Sequence, residues 1–188
     1  MFVRRSLDVQ HEKLKVHVID FEKPEQWKHL VTGDVLFSCL GTTMKAAGSK
    51  DAQWKVDFDY QYRFAEAASE NGVNHYVLVS SDFASPTSRN FYSNMKGKLE
   101  LAVRKLAFPA ITIFNPPVLV RKNSDRRMEV VGLKAVQVLN KIGIARSQQP
   151  LPTEVLAQAM VNSAIIKDSG TTKLKGKAIW ERAEAKRI

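Results

Sequence analysis

Tyr92 and Lys96 stand four residues apart in the run Tyr92-Ser93-Asn94-Met95-Lys96, and on a helix that spacing puts a phenol and an ammonium on one face. A cation beside a tyrosine favours the phenolate and moves the hydroxyl toward the range in which it exchanges protons with a substrate. Of the four tyrosines only Tyr92 has a lysine at this spacing. The pair lies 12 and 11 residues beyond Ser80 and Ser81, which end the apolar run His75 to Ser80 and precede Asp82. Two more apolar runs stop in the same way, one at Gly41-Thr42-Thr43 and one at Asn115-Pro116-Pro117-Val118. Singly, each of these ends also reads as an ordinary turn, since Gly, Ser and Pro are common turn formers.

The elements that must position these residues are legible from periodicity. Leu14 to Phe21, Asp34 to Leu40, His75 to Ser80 and Ile111 to Phe114 are short apolar or β-branched runs that predict strands. The run from Asp34 to Leu40 is apolar on both faces, as a central parallel strand is. Between these runs, 53–70 and Phe91 to Leu106 have helical spacing, and Pro24 to Leu30 predicts a short helix opened by proline. Strands alternating with helices of a dozen residues or more call for parallel crossovers, which predicts an α/β doubly wound sheet. In such a sheet ligands bind beyond the carboxyl ends of the strands, so the three polar strand ends share one edge. After Val120 the rhythm changes to a basic turn over Arg121 to Arg127, a helix over 128–142, a Pro-flanked link and a helix from Thr153. The tail predicts one short strand at Ala178-Ile179-Trp180.

The chain has 188 residues, 44% of them hydrophobic, enough for one core, and it reads as a single domain with a binding core over 1–120 and a C-terminal region over 121–188. The net charge is +10, of which +2 falls in 1–120 and +8 in 121–188. A single cysteine, Cys39, excludes a disulfide framework and a cysteine-based zinc site, and fits a reducing compartment. With no apolar run long enough for a membrane span and no secretory h-region, the expectation is a soluble cytoplasmic protein, with the nucleus as a second setting. Cys39 is expected to be packed in its strand. The histidines His11, His17, His29 and His75 have no metal-ligand spacing.

With these residues in place, the sequence resembles the short-chain dehydrogenases, and within them the atypical NADP-binding members like the Tat-interacting protein. The likeness runs through Arg4-Arg5, Val18-Ile19-Asp20-Phe21-Glu22, Cys39-Leu40-Gly41-Thr42-Thr43, Val56-Asp57, Asp59-Tyr60, Ser80-Ser81, Asn90-Phe91 before Tyr-x-x-x-Lys, and Pro116 with Val118-Leu119. It covers residues 1 to about 165 in order. It implies a Rossmann-like fold that binds NADP(H). Tyr92 would exchange the proton, and Lys96 would hold the nicotinamide ribose and lower the tyrosine pKa. Ser81, or in second place Ser80, would orient the substrate carbonyl. Arg4 and Arg5 would meet the adenosine 2′-phosphate, Asp20 and Phe21 would flank the adenine, and Leu40, Gly41 and Thr42 would run along the cofactor. Pro116 and Val118 would close the site at the carboxamide.

The sequence departs from this family in two places. The strand, glycine-rich turn and helix that open a Rossmann domain have no counterpart, and Met1 falls at the middle of what would be the second strand. The expectation is therefore a doubly wound sheet lacking its first strand and phosphate loop, with either a gap or a new pairing between residues 1–5 and 34–40. Two accounts follow: a truncated form, or a chain that has lost cofactor binding. The second departure is Asn115-Pro116-Pro117, where the family more often has Arg-Pro-Gly.

Three functions remain to be weighed. The first is an NADP(H)-dependent oxidoreductase acting on a small-molecule carbonyl or alcohol. The second is a non-catalytic regulator on the same fold, working through cofactor state, a protein partner or a second copy of the chain. A basic nucleic-acid-binding domain comes last, because no stacking aromatics are interleaved with the basic residues of 121–127.

Overall fold

β-branched and aromatic runs form the strands, and the polar residues that follow them start the crossovers. The computed structural model describes residues 1–120, 150–166 and 168–185. Two short strands, β1 (Phe2–Val3) and β2 (His17–Val18), precede helix α1 (Pro24–Trp27) and strand β3 (Val35–Ser38). Helices α2 (Met44–Ala47) and α3 (Lys50–Trp54) lead through a π-helical turn, Lys55–Asp59, into α4 (Tyr60–Glu70). Strand β4 (His75–Val79), helix α5 (Phe91–Val103) and strand β5 (Ala110–Asn115) complete the crossovers, and β6 (Leu119–Val120) follows. After 121–149 come β7 (Leu151–Pro152), α6 (Thr153–Ile166), β8 (Gly170–Lys175) and α7 (Lys177–Glu184). The basic turn and the helix expected over 121–142 lie outside the described residues.

The main sheet is parallel throughout, in the order β3-β4-β5-β8. Side-chain alternation along β4 and β5 divides the core between its two faces. Tyr76, Leu78, Ile111 and Ile113 face the cluster built with α4 and α5, whereas Val77 and Phe114 face the cluster built with α6 and α7. Helices thus cover both faces, which is the doubly wound arrangement expected from the sequence. α4 stops where Gly72 takes a φ of +78°, a left-handed turn that a side chain would strain, and the Asn71 amide ties that turn to the carbonyls of Lys28 and Val31.

Of the two arrangements expected between residues 1–5 and 34–40, the described residues have the gap. β1 and β2 pair in parallel as a sheet of their own, separate from the four-stranded one. Between β1 and β3 lies a cleft of about 630 Å³, lined by Met1, Phe2, residues 35–40, Tyr60 and Phe64 among others. Among the described residues β3 is consequently an edge strand instead of the central strand expected, and Phe37 is 42% exposed. Cys39, expected to be packed, is exposed for the same reason: it borders the gap. Partial desolvation there raises its thiol pKa, so it is not a ready thiolate.

The expectation for the tail is corrected. Ala178-Ile179-Trp180 is not a strand but part of α7, where Lys177 and Glu181 pair at 2.8 Å across one turn and Ile179 is fully buried. The strand lies just before it, as β8, which pairs with β5 at the sheet edge. Its only buried residue is Leu174, so its sequence, Gly-Thr-Thr-Lys-Leu-Lys, reads as a polar loop.

The detached β1-β2 pair is held to the rest by aromatic packing. Phe64 on α4 stacks on Trp27 at 4.0 Å and contacts Phe2 at 5.2 Å and Phe21 at 5.3 Å. Phe64→Ala removes the one ring that all three share and is expected to destabilise the fold by about 3–5 kcal/mol. Urea unfolding measures that loss, and a cost under about 1 kcal/mol would show that the cluster does not hold the two sheets together.

Candidate functional site

α5 opens on Asn90, whose side chain accepts a hydrogen bond from the Ser93 N–H at 3.1 Å and so caps the helix. Tyr92 therefore sits in the first turn, and Lys96 and Glu100 follow at successive turns on the same face. The Lys96 ammonium lies 5.9 Å from the centre of the Tyr92 ring. Tyr92 is 38% exposed, whereas Lys96 is 3% exposed and forms an ion pair with Asp57 at 3.2 Å. Asp57 is the middle residue of the π-turn and is itself buried. Its other oxygen accepts the backbone N–H of Thr42 at 2.8 Å. One carboxylate thus ties the segment beyond β3 to the helix beyond β4.

The electrostatics run against one expectation. Lys96 was expected to lower the Tyr92 pKa, but the hydroxyl is pushed up to about 12, first by desolvation and then by the negative charge of Asp57. The main physical reason is desolvation of the hydroxyl, to which the Asp57 carboxylate, paired with Lys96 at 3.2 Å, adds its negative charge. Burial pulls the Lys96 ammonium below the ordinary lysine range, while Asp57 and then Glu100 oppose that shift.

The second serine cluster is built on a buried acid that the sequence did not single out. Glu100 is 4% exposed and accepts the Ser80 hydroxyl at 2.5 Å, the Asn115 amide at 2.7 Å and the Lys173 ammonium of β8 at 2.6 Å. Ser80 is therefore committed to Glu100. Asn115 also donates to the Ser81 carbonyl at 2.6 Å, so this departure from the family pattern fixes the backbone of Ser81. The Ser81 hydroxyl has no hydrogen-bond partner among the described residues. That leaves Ser81, of the two serines, free to meet a ligand. Pro116 is buried and its carbonyl accepts the Asp82 N–H at 3.1 Å, while Val118 is 55% exposed.

Gly41 is also constrained by Asp57: a Cβ there would lie 3.2 Å from the carboxylate oxygen. Leu40 lines the cleft next to it. Arg4 and Arg5, beyond β1, are exposed and make no bond to a described residue. Asp20 is exposed and accepts the Glu22 N–H at 3.0 Å. Phe21 is 6% exposed and packs on Tyr60 and Phe64 at the cleft wall. The structure thus brings Thr42 and Lys96 onto one carboxylate, and Ser80 and Ser81 onto one buried network. No bond joins Arg4, Arg5 or Asp20 to either group. Asp57 and Glu100 are recognised as buried acids only from the structure, since at helical spacing Asp57 lines up with Gln53 and Gln61, and Glu100 with Lys96.

A parallel doubly wound sheet with a Tyr-x-x-x-Lys helix at the carboxyl edge is the architecture of the short-chain dehydrogenase type of Rossmann fold. Solved structures agree. A short-chain dehydrogenase/reductase superfamily protein from Agrobacterium tumefaciens, with bound NAD, superposes with a TM-score of 0.65 at 15% identity, over 93% of this chain and 69% of that one. A dTDP-4-dehydrorhamnose reductase from Bacillus anthracis, in complex with NADP, gives 0.60 at 17% identity over 89% and 68%. At the level of sequence, rat HTATIP2 is 34% identical over 182 residues, covering 94% of this chain and 74% of that protein. Mitochondrial FMP52 of Saccharomyces cerevisiae is 36% identical over 134 residues, 69% of this chain and 58% of that one. The chain belongs to the HTATIP2 and FMP52 family of atypical short-chain dehydrogenases. It spans less than two thirds of the length of FMP52, and no protein-family model matches it. The mitochondrial relative does not fit a plainly cytoplasmic setting. Among the described residues no helix is long and apolar enough to cross a membrane, and no group of three metal-ligating side chains is present.

The loop that carries Ser81 is docked on α5 by the Asn94 amide, which donates to the Pro86 carbonyl at 2.6 Å, and by the absence of a side chain at Gly97. A Cβ at Gly97 would fall 2.2 Å from the Ser85 carbonyl carbon, a backbone atom that cannot yield locally. Gly97→Ala is expected to lift this loop and cost about 1–3 kcal/mol. Thermal unfolding together with amide exchange over 81–90 tests it, and a variant with native stability and exchange would contradict the close packing.

Proposed function

We propose that this chain is an NADP(H)-binding oxidoreductase that reduces a small-molecule carbonyl, with Tyr92 as the proton donor. The observation that supports it most is the grouping at the carboxyl edge: Lys96 lies 5.9 Å from the Tyr92 ring, and the Ser81 hydroxyl beyond the neighbouring strand end is uncommitted among the described residues. The residues present suit a dinucleotide at this edge. Lys96 has ammonium protons to spare beyond the one given to Asp57, and the Ser81 hydroxyl is uncommitted among the described residues. When bound, the cofactor would supply the hydride. Ser81 would hold the carbonyl oxygen, and Tyr92 would pass its proton to that oxygen as the alcohol forms. Lys96 would hold the ribose hydroxyls. Arg4 and Arg5, exposed and unpaired among the described residues, would favour the additional phosphate of NADP over NAD by charge.

The raised tyrosine pKa fits the reductive direction. A hydroxyl whose pKa is about 12 keeps its proton across neutral pH, as an acid must. Reduction is therefore expected to show no loss of rate through deprotonation of Tyr92 below about pH 11. A basic limb between about pH 7 and 9 that disappears in Tyr92→Phe would contradict this assignment.

Titration calorimetry with NADPH and a panel of carbonyl substrates tests the whole reading. Binding in the micromolar range is expected, with Tyr92→Phe lowering turnover by about 10²–10⁴-fold and changing the NADPH Kd by less than about threefold. Binding without turnover on any carbonyl would favour the non-catalytic regulator, for which the neutralised Lys96 also speaks. Absence of NADPH binding would defeat the oxidoreductase reading and leave only a regulator that works through protein contacts.

A further inference from the structure

Among the described residues β1 and β3 are each the edge of a sheet, and both edges open on the same cleft. In the four-stranded sheet the His75 N–H donates to the Asp34 carbonyl at 3.2 Å, which sets the phase of the β3–β4 ladder. Every second residue of a parallel strand bonds to a given neighbour, so Leu36 and Ser38 turn their backbone groups to β4, while Val35 and Phe37 turn theirs away. In the smaller sheet the Met1 and Val3 carbonyls accept from the His17 and Ile19 N–H groups at 2.8 and 3.0 Å, which leaves the backbone groups of Phe2 facing away from β2. The cleft of about 630 Å³ is lined by Met1, Phe2 and 35–40 but by no residue of β2 or β4, so it lies on both free edges. No backbone partner among the described residues meets Phe2, Val35 or Phe37 on that side.

The chemistry of the walls selects the occupant. None of the lining residues carries a charged side chain. Ser38, Gln61 and Tyr60 are already engaged: the Ser38 hydroxyl donates to Gln61 at 2.8 Å, the Gln61 amide to the Asp57 carbonyl at 2.8 Å, and Tyr60 bonds to Glu22. What stays unanswered is backbone, on both walls. An apolar small molecule would cover the rings of Phe2, Phe21 and Phe64 but leave two rows of N–H and C=O groups without partners. An extended peptide answers both rows at once, and the four residues of β3 offer it a run of about 13 Å. A charged segment would lose its water against walls that hold no counter-ion. We propose that this cleft binds an extended, uncharged segment of a partner protein, with apolar side chains at alternate positions, as an added strand between β1 and β3. A second copy of this chain is a poorer match. It carries the same net charge of +10, and among the described residues its uncharged apolar runs are already built into β3, β4 and β5.

Such a strand joins the two sheets into one and turns β3 from an edge into an interior strand, which removes the exposed edge that an unpaired strand presents to other chains. Its apolar side chains on one face meet Phe64 and Val73, which line the cleft with Leu36. The proposal does not rest on the reading of Tyr92 and Lys96, because neither they nor Ser81 line this cleft.

Fluorescence anisotropy with a labelled hexapeptide, valine and threonine in alternation and both ends blocked, tests the proposal on the full chain. A Kd of about 10–100 µM is expected for a short strand that loses its freedom on binding. Amide exchange followed by NMR gives the signature. With peptide present the Phe2, Val35 and Phe37 amides are expected to slow by at least about tenfold, whereas Leu36 and Ser38, which face β4, change little. Methylating the peptide nitrogens at every second residue removes the donors along one edge with the side chains unchanged, and is expected to weaken binding by at least about tenfold. Phe37→Pro deletes one N–H that faces the cleft, a change an edge strand tolerates, and is expected to weaken binding about tenfold, while Phe37→Ala, which keeps the N–H, stays within about threefold. If Phe37→Pro does not fold, the methylated peptide makes the same comparison. A methylated peptide that binds as tightly as its parent, or unchanged exchange at Val35 and Phe37, would make the cleft a merely apolar surface and overturn the proposal. So would the absence of binding at about 1 mM peptide. A dimer in light scattering that the peptide dissociates would give the cleft to a second copy and overturn the choice of partner. None of these measurements uses NADPH, so a failure of cofactor binding leaves them intact and the two readings fail separately.

Discussion

The ion pair between Lys96 and Asp57 is the interaction around which the rest of the site is arranged. Both side chains are almost completely enclosed. Removing two charges from water costs several kcal/mol each, and the pair is tolerable only because each partner has the other in contact and the carboxylate has a further donor in the Thr42 amide. That requirement fixes three elements at once: the loop after β3, the π-turn before α4 and the first turns of α5. Change the position of any one, and a buried charge loses its partner. The same logic is repeated at Glu100, which is enclosed and answered by Ser80, Asn115 and Lys173. The carboxyl edge of the sheet is thus supported by two buried acids, Asp57 beneath the end of β3 and Glu100 beneath the ends of β4 and β5.

The split sheet makes this support more necessary. In a continuous sheet β3 would be held by ladders on both sides, but here its outer edge borders a cleft of about 630 Å³. The position of the loop that carries Leu40, Gly41 and Thr42 therefore depends on β4 along one edge and on side chains from the α3–α4 segment. Gln53, Asp57 and Gln61 supply those side chains, a polar set on the face of a helical segment that packs otherwise with aromatic and small apolar residues. Burial of that polar set is explained by the loop it holds. Across the cleft, the β1-β2 pair is held by stacked rings on Phe64, a different kind of contact from the one that orders the proposed site.

Most of the fold was legible because the strands β3, β4 and β5 and the helices α4 and α5 carry their own periodicity. Tyr92, Lys96 and the serines were proposed from motif and placement, and the structure sets them at the carboxyl ends of β4 and β5 and on α5. What could not be read were features that depend on partners far away in sequence. Asp57 and Glu100 look like ordinary charged positions until the tertiary structure shows that they face inward. β8 was missed because an edge strand with one buried residue has a polar sequence, and Ile179 was assigned to a strand because three residues cannot distinguish strand from helix. The acidity of Tyr92 was misjudged for the same reason: the motif contains the lysine but neither the desolvation of the hydroxyl nor the Asp57 carboxylate that raise its pKa. The exposure of Cys39 follows from the gap and not from the strand that contains it.

The central claim is that the carboxyl edge built on Asp57, Lys96, Tyr92 and Ser81 is where a nicotinamide dinucleotide lodges. Hydrogen–deuterium exchange of the whole chain with and without saturating NADPH tests it most directly. The account predicts slowed exchange at three stretches, residues 40–43, 80–84 and 92–96, which are separate in sequence and meet at this edge, together with the segment of Arg4 and Arg5. Exchange that is unchanged at all three, or slowed only elsewhere, would contradict it.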